Sequence, residues 1–247
     1  MTFKYNDVYV KDTATVAGPY EKKGPLKKYF DKTFDDLYFK ENSWEKAEIK
    51  TVKESLKLLH KKVGLKRKEV DVILGGDLLN QISATTYGAY DFSKCFLGLY
   101  GACSTSVEGM ILGSCLIDSK KVKNAIVTIS SHNMAAEKQF RNPTEYGAPK
   151  PLSATFTATG SASVLLTKEK TDVRVESSTI GQIIDFGQND PNDMGKVMAP
   201  AAIDTIKRHL QDLNRTPDYY DLIVTGDLGL YGKEILKDYM QEEYNLD

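Results

Sequence analysis

The stretch Val52–Leu79, VKESLKLLHKKVGLKRKEVDVILGGDLL, decides the fold because its pattern comes twice. It aligns without a gap with Ala202–Gly229, AIDTIKRHLQDLNRTPDYYDLIVTGDLG. Identities are few, but the physical pattern is shared. Val52, Leu56, Leu59 and Val63 mark an apolar face near the helical period, and Ala202, Ile206, Leu210 and Leu213 repeat it. A polar connection follows each helix, with Pro217 in the second copy. An apolar run then ends both times in Gly-Asp-Leu, and the pairs Asp71/Asp221 and Asp77/Asp227 fall at identical offsets. Such runs, rich in Val, Ile and Leu and preceded by amphipathic helices, read as buried parallel strands of an α/β sheet. A period of about 150 residues is that of a duplicated α/β half, not of a solenoid.

Outward from the repeat, Asn124–Asn133 (NAIVTISSHN) is a further apolar strand, and it follows a helix over Ser104–Ser119 (STSVEGMILGSCLIDS). Ala158–Glu169 and Thr171–Gly181 alternate as strands. Residues 1–170 are expected to form the first half, with insertions. Residues 171–247 begin a second half that stops before any counterpart of the Cys103 segment.

Composition sets limits. The chain has 247 residues, 41% hydrophobic and 27% charged, with a formal net charge of −1. That suits one large domain or two closely packed halves, and it leaves no electrostatic footprint for nucleic acid. Lysines cluster in Tyr20–Phe30 and His60–Val70, where interleaved acidic residues mark a solvated face. Cys95, Cys103 and Cys115 form neither a CxxC pair nor a disulfide framework, which fits a reducing compartment. His60, His132 and His209 give no zinc-ligand spacing. Met1–Asp12 lacks the apolar core of a signal peptide, and no apolar run approaches the ~20 residues that span a bilayer. Membrane association is therefore expected only through a partner protein.

Gly98–Met110, GLYGACSTSVEGM, sets Cys103 among small residues at the head of a helix. Ser104, Thr105 and Ser106 are helix-capping types. A cysteine there faces unpaired backbone N–H groups and the positive end of the helix dipole, both of which favour thiolate. Strand, tight turn, cysteine and buried helix make the outline of a nucleophile elbow. The same N–H groups can hold an anionic ligand without chemistry, and an inert core cysteine is the third reading of this spacing.

A duplicated α/β half with GACSTS on a buried helix resembles the thiolase fold of thiolases and ketoacyl synthases, a layered α-β-α-β-α arrangement. Longer segments narrow the likeness: Ala17–Phe39, Glu41–Glu48, Gly75–Gln81, Phe96–Ser106, Thr128–Pro151, Asp190–Lys207 and Asp212–Gly229. Together they resemble the stage V sporulation protein AD family over nearly the whole chain. The resemblance implies direct binding of dipicolinic acid, a pyridine with two carboxylates, in support of its uptake into the developing spore. It also implies membrane-protein partners from the same sporulation operon and a homodimer. The expected location is the forespore or spore, peripheral to its inner membrane. No cofactor is implied, with calcium entering only as part of the ligand. Family members run on beyond the position of Asp247, so this chain is expected to lack the C-terminal part, where thiolase-like enzymes keep their catalytic histidines.

Candidate site residues lie where strands end, the place where α/β sheets bind ligands. His132 and Asn133 end the Asn124–Asn133 strand; His132 either faces a carboxylate or Cys103, or holds the strand end by a structural hydrogen bond. Arg141 is the best cation in the polar segment Ala136–Pro151, which is expected to loop over the site; it either grips a carboxylate or pairs with Glu137 or Glu145. Asp77, Asn80 and Gln81 follow the first repeat's strand, where Asp77 either caps the next helix or orients a donor or calcium. Cys103 and Ser104 complete the set. Asp185–Gly195 reads as a turn-rich loop before a helix, and Trp44 as an anchor at the start of one. Three functions compete on these residues: a dipicolinate-binding protein, an acyltransferase of the thiolase or ketoacyl-synthase type with Cys103 as nucleophile, and a scaffold for membrane partners.

Overall fold

Ser43 opens the first repeat's helix by accepting the Lys46 N–H at 3.2 Å, and Gly64, at φ 65°, closes it by donating to the His60 carbonyl. These belong to a computed structural model that describes residues 1–247 other than 93, 141–152, 154, 191–192 and 245–247. In chain order its strands are β1 (Thr2–Lys4), β2 (Tyr9–Ala17), β3 (Lys32–Thr33), β4 (Val72–Gly76), β5 (Cys95–Gly98), β6 (Asn124–Ser131), β7 (Gly160–Thr167), β8 (Val173–Arg174) and β9 (Ser177–Thr179). Its helices are α1 (Trp44–Val63), α2 (Ser83–Ala89), α3 (Thr105–Asp118), α4 (Asn133–Phe140), α5 (Met194–Leu213) and α6 (Gly229–Tyr244).

The duplication is physical down to its caps. Asp193 accepts the Lys196 N–H at 3.1 Å to start α5, and Asn214, at φ 53°, ends it. Ser43 and Asp193, Gly64 and Asn214, and the single turns Arg67–Glu69 and Pro217–Tyr219 all stand at the offset of the aligned repeat. A left-handed residue closes each helix, as C-terminal capping requires. The copies part at the strand. Val72–Gly76 is buried throughout, whereas 222–226 forms no strand, and Leu222 and Val224 are 76% and 77% exposed. A strand needs a neighbour to satisfy its backbone, and none lies beside this segment among the described residues.

Tyr5–Gly147 and Thr157–Glu176 form one unit. Its sheet runs β3-β2-β7-β6-β4-β5, with β8 also pairing β2. β4 is parallel to both β5 and β6, while β7 is antiparallel to β6 and β2. α1 packs Val52, Leu56 and Leu59 against Ile73, Ile126 and Leu165. α3 approaches the residues between these: Gly109 meets Val127, and Gly113 meets Leu166 and Leu74. Adjacent residues of a strand face opposite sides, so both faces of β4 and β6 are covered, which explains their unbroken apolar sequence. The far side of α3 keeps Val107 and Leu112 exposed, so this helix is buried on one face among the described residues.

A polar seam runs under α1. Ser55 Oγ lies 2.9 Å from both Ser161 Oγ and Ser163 Oγ, and Thr128 Oγ1 is 2.8 Å from Ser163 Oγ. Further along, Ser130 donates to Glu48 Oε1 at 2.8 Å. Trp44 anchors the start of α1 against the cluster of Leu79, Ala84 and Ala135.

Met1–Lys4, Ala148–Phe156 and Ser177–Asp247 form the other unit. Within it α5 packs on α6 and on the antiparallel pair β1–β9. His209 Nδ1 is 2.8 Å from Thr179 Oγ1, and its Nε2 is 2.6 Å from the Tyr220 hydroxyl.

A Cβ at Gly88 of α2 would stand 2.5 Å from Val52 Cβ and Cγ1 of α1. Gly88→Ala is expected to destabilise the protein by about 1–3 kcal/mol. Denaturant unfolding checks this, and an unchanged midpoint would mean that the contact yields freely.

Candidate functional site

Three parallel strands deliver three connections to one edge. β4 ends at Gly76, β5 at Gly98 and β6 at Ser131, in a register that pairs Val72 with both Cys95 and Ala125. Gly76 is the pinch point, since a Cβ there would collide with the Leu99 carbonyl oxygen and crowd the Thr105 methyl. Only the absence of a side chain lets the β4 end meet the turn that carries Cys103.

That turn is strained. Ala102 has φ 47°, a left-handed conformation that non-glycine residues seldom adopt. Cys103 follows it, exposed, in the single turn Ala102–Ser104 that leads into α3. Ser104 does not cap the helix as its residue type suggested. Its hydroxyl instead donates to the Gly101 carbonyl at 2.8 Å, and α3 starts without a side-chain cap. The turn is therefore a strand–elbow–helix element closed by its own backbone, with the Ser104 N–H donating to the Gly101 carbonyl and the Thr105 N–H to the Ala102 carbonyl.

The β4–α2 connection makes a second wall. Buried Asp77 accepts the Leu79 N–H at 2.8 Å through Oδ1 and the Thr85 N–H at 2.6 Å through Oδ2. Between them Gln81 (φ 57°) and Ile82 (φ 46°) are both left-handed, and for β-branched Ile82 this is a marked outlier. Asn80 is exposed, and its N–H donates to Gln139 Oε1 at 2.8 Å. Tyr100 donates to Gln81 Oε1 at 3.3 Å, which ties this connection to the Cys103 turn.

His132 is fully buried behind this edge, and both its nitrogens are engaged. Nε2 lies 2.8 Å from the Leu37 carbonyl, and Nδ1 accepts the Ala135 N–H at 3.4 Å. Burial holds its pKa below the usual histidine value, against the Leu37 bond that favours the charged form. Of the two sequence readings, the structure shows the strand-end hydrogen bond. Asn133 donates its N–H to Thr159 Oγ1 and its side-chain amide to the Thr157 carbonyl. The segment expected to loop over the site begins as helix α4, and Arg141 lies outside the described residues.

Sequence reasoning passed over Glu48, buried on the sheet-facing side of α1. Burial, then the nearby Asp77 carboxylate, push its carboxyl up to about 8, and Oε2 has no hydrogen-bond partner among the described residues. The signal was available: Glu48 shares the helical face of Val52, Ser55 and Leu59. Gln81 was placed at this strand end by the sequence, but Tyr100 and Gln139 were missed because their contacts join segments far apart in sequence.

The sheet with helices on both faces, the parallel strand ends and the small-residue cysteine turn define a thiolase-like α/β protein. The 3-oxoacyl-(acyl carrier protein) synthase III FabH of Xanthomonas oryzae pv. oryzae matches with a TM-score of 0.67 and 13% identity, covering 99% of this chain and 83% of that one. A variant of OleA from Xanthomonas campestris matches with a TM-score of 0.70 and 10% identity, covering 99% and 83%. The family model described as stage V sporulation protein AD (SpoVAD) matches residues 1–247, and the chain belongs to that family. It is 46% identical over 236 residues to the stage V sporulation protein AD of Bacillus subtilis (strain 168), covering 96% of this chain and 70% of that protein. No helix among the described residues is long and apolar enough to cross a membrane.

Cys95 and Cys103 are exposed, and Cys115 is half-buried with its sulfur 3.6 Å from the Tyr5 hydroxyl. A thiol-reactive chromophore is expected to label two cysteines quickly in the native protein and the third slowly. Cys103→Ser should remove one of the fast pair, and a slow Cys103 would contradict the exposed turn.

Proposed function

We propose that this chain binds dipicolinate, or its calcium chelate, at the strand-end site beside Cys103, without chemistry and in support of dipicolinate uptake into the developing spore. Membership of the stage V sporulation protein AD family supports this choice of ligand. The observation that carries the non-catalytic reading is the commitment of every imidazole to a structural bond. His132 holds Leu37 and Ala135, His60 lies against the Leu65 carbonyl, and His209 bridges Thr179 and Tyr220. None of the three is hydrogen-bonded to Cys103 among the described residues, which supports a binding role for the residues of this chain.

Each wall has a task in this reading. Cys103 and Ser104 form the floor in this reading, and the positive end of the α3 dipole favours one carboxylate. Exposed Asn80 offers an amide donor to the ligand, while Asp77 holds the turn that presents it. Arg141 is the proposed cation for a bidentate contact. The membrane proteins of the same sporulation operon are the proposed partners, at the inner membrane of the forespore. A second copy would add at the β5 edge, where Leu97 is exposed and where no strand pairs on the outer side among the described residues.

The strained Ala102–Cys103 turn favours one alternative, an acyltransferase in which Cys103 carries the acyl group. Mass spectrometry after incubation with acyl thioesters tests it: an acyl adduct on Cys103 supports catalysis, and an unmodified thiol argues against it.

Calorimetric titration of the protein with dipicolinate is expected to give saturable binding, weakened by at least about tenfold, or 1.4 kcal/mol, in Cys103→Trp. Absence of saturable heat with the intact protein overturns the reading, as does full affinity in the variant.

A further inference from the structure

We propose that the closed loop between β2 and β3 is a contact surface for an anionic lipid bilayer. In Tyr20–Phe30 four lysines stand against one acidic residue, in a chain whose formal net charge is −1. Interleaved acids would make such a run an ordinary solvated face, but here the acids are occupied. Glu21 turns inward: Oε1 accepts the Thr159 N–H at 2.9 Å, and Oε2 is buried. Asp31 accepts the Thr15 N–H at 2.8 Å and pairs with Lys62, and Asp35 pairs with Lys22. Asp36 accepts the Tyr38 and Phe39 N–H groups, both at 2.8 Å. Lys23, Lys27 and Lys28 are left exposed, with no ion pair among the described residues.

The loop is held by its own bonds, which sets it apart from a charged tail. Val16 pairs with Lys32 and Ala17 with Thr33, so its ends stand side by side. Within it lie the single turns Glu21–Lys23 and Lys27–Tyr29. The Gly24 N–H donates to the Glu21 carbonyl at 3.0 Å, and the Tyr29 N–H to the Leu26 carbonyl at 2.9 Å. A loop closed in this way fixes the residues on its surface. Among them are Tyr20, Leu26 and Tyr29, which are 64%, 59% and 67% exposed. Single exposed apolar residues are ordinary, but three on one short loop, beside three lysines without ion pairs, mark an interaction surface.

The side chains choose the partner. Tyrosine has an apolar ring and a polar tip, and lysine an apolar stem under its charge, both suited to headgroup depth. Each lysine near an anionic surface is attracted to lipid phosphates, and Leu26 and the tyrosine rings add apolar burial. Loop and strand-end site leave the sheet at the same end, since Ala17 pairs with Gly160, and Gly160 with Ser131. Thr159 joins them directly: its carbonyl accepts the Gly18 N–H at 2.8 Å, and its Oγ1 the Asn133 N–H at 2.9 Å. A bilayer on the loop therefore lies at the site's end of the sheet. The bearing of that placement on ligand delivery rests on the proposed dipicolinate site; the bilayer contact itself does not.

The test is cosedimentation of the full chain with sucrose-loaded vesicles, of phosphatidylcholine alone or of an equal mixture with phosphatidylglycerol. Retention is expected on the mixed vesicles at low salt, falling as salt screens the lysines, and not on the neutral ones. Lys27→Gln with Lys28→Gln should lower the partition coefficient by about fivefold for each lysine removed. Leu26→Ser should weaken retention without changing its dependence on salt. All three side chains are exposed, so the denaturation midpoint should stay where it is and keep lost binding distinct from lost fold. No retention on the mixed vesicles at low salt overturns the proposal, as does equal retention of wild type and the lysine variant. Binding to a single-stranded oligonucleotide without binding to the mixed vesicles also overturns it, and marks a general polyanion site instead. Dipicolinate titration of the same proteins separates the two readings, since a wild type that binds the vesicles but no dipicolinate keeps the bilayer contact and loses only the proposed ligand.

Discussion

The parallel pairing of β4 with both β5 and β6 is the constraint on which the rest depends. Parallel strands send their C-terminal ends to the same edge, and the shared register brings Gly76, Gly98 and Ser131 there together. This pairing places the Asp77 turn beside the Cys103 turn although 25 residues and a helix separate them in sequence, and the Tyr100–Gln81 hydrogen bond then ties the two together. The approach is close enough that Gly76 has no room for a methyl group. Pairing of this kind needs both sheet faces covered, and the two helices α1 and α3 supply that cover through alternate residues of the same strands. The site is thus a product of the core, and its precision comes from sheet register more than from its own loops.

The duplication was legible in the sequence because it is written in local chemistry. Helix caps, a left-handed closing residue and a helical apolar face act within a few residues, so Ser43 and Asp193 perform one task at one offset in both copies. The strand of the second copy shows the limit of that logic. Leu222–Val224 has the residues of a buried strand, yet strand formation depends on neighbours that local sequence does not contain. Likewise, Ser104 has the residue type of a helix cap, but the Gly101 carbonyl competes for its hydroxyl and wins.

Of the site, the positions were legible and the roles were not. Cys103, Asp77, Asn80 and Asn133 fall at strand ends as their sequence context indicated. His132 could be placed at a strand end but not oriented, because its two partners, Leu37 and Ala135, come from separate segments. Glu48 shows the same gap from the other side. A charged residue at a core position of a helix pattern reads as an exception, until the sheet beneath it proves to be lined by Ser130, Thr128, Ser161 and Ser163. Hydroxyls on the sheet make a carboxyl tolerable there, and only the assembled fold brings the two together.

Strain at this edge bears on what the site is for. Ala102, Gln81 and Ile82 are all left-handed without being glycine, and each such residue costs about 1–3 kcal/mol unless its surroundings compel it. They line the two connections that meet at Gly76; the other left-handed non-glycine residues are Phe39, Lys40, Lys120 and Asn214 among the described residues. Strain of this kind holds a backbone in one shape before anything binds to it. Catalysis and binding both gain from such preorganisation, so the strain at Ala102, Gln81 and Ile82 marks the edge without choosing between them. At the elbow itself the Ser104 N–H donates to the Gly101 carbonyl and the Thr105 N–H to the Ala102 carbonyl, so the tight turn closes on its own backbone and leaves Cys103 exposed at its apex.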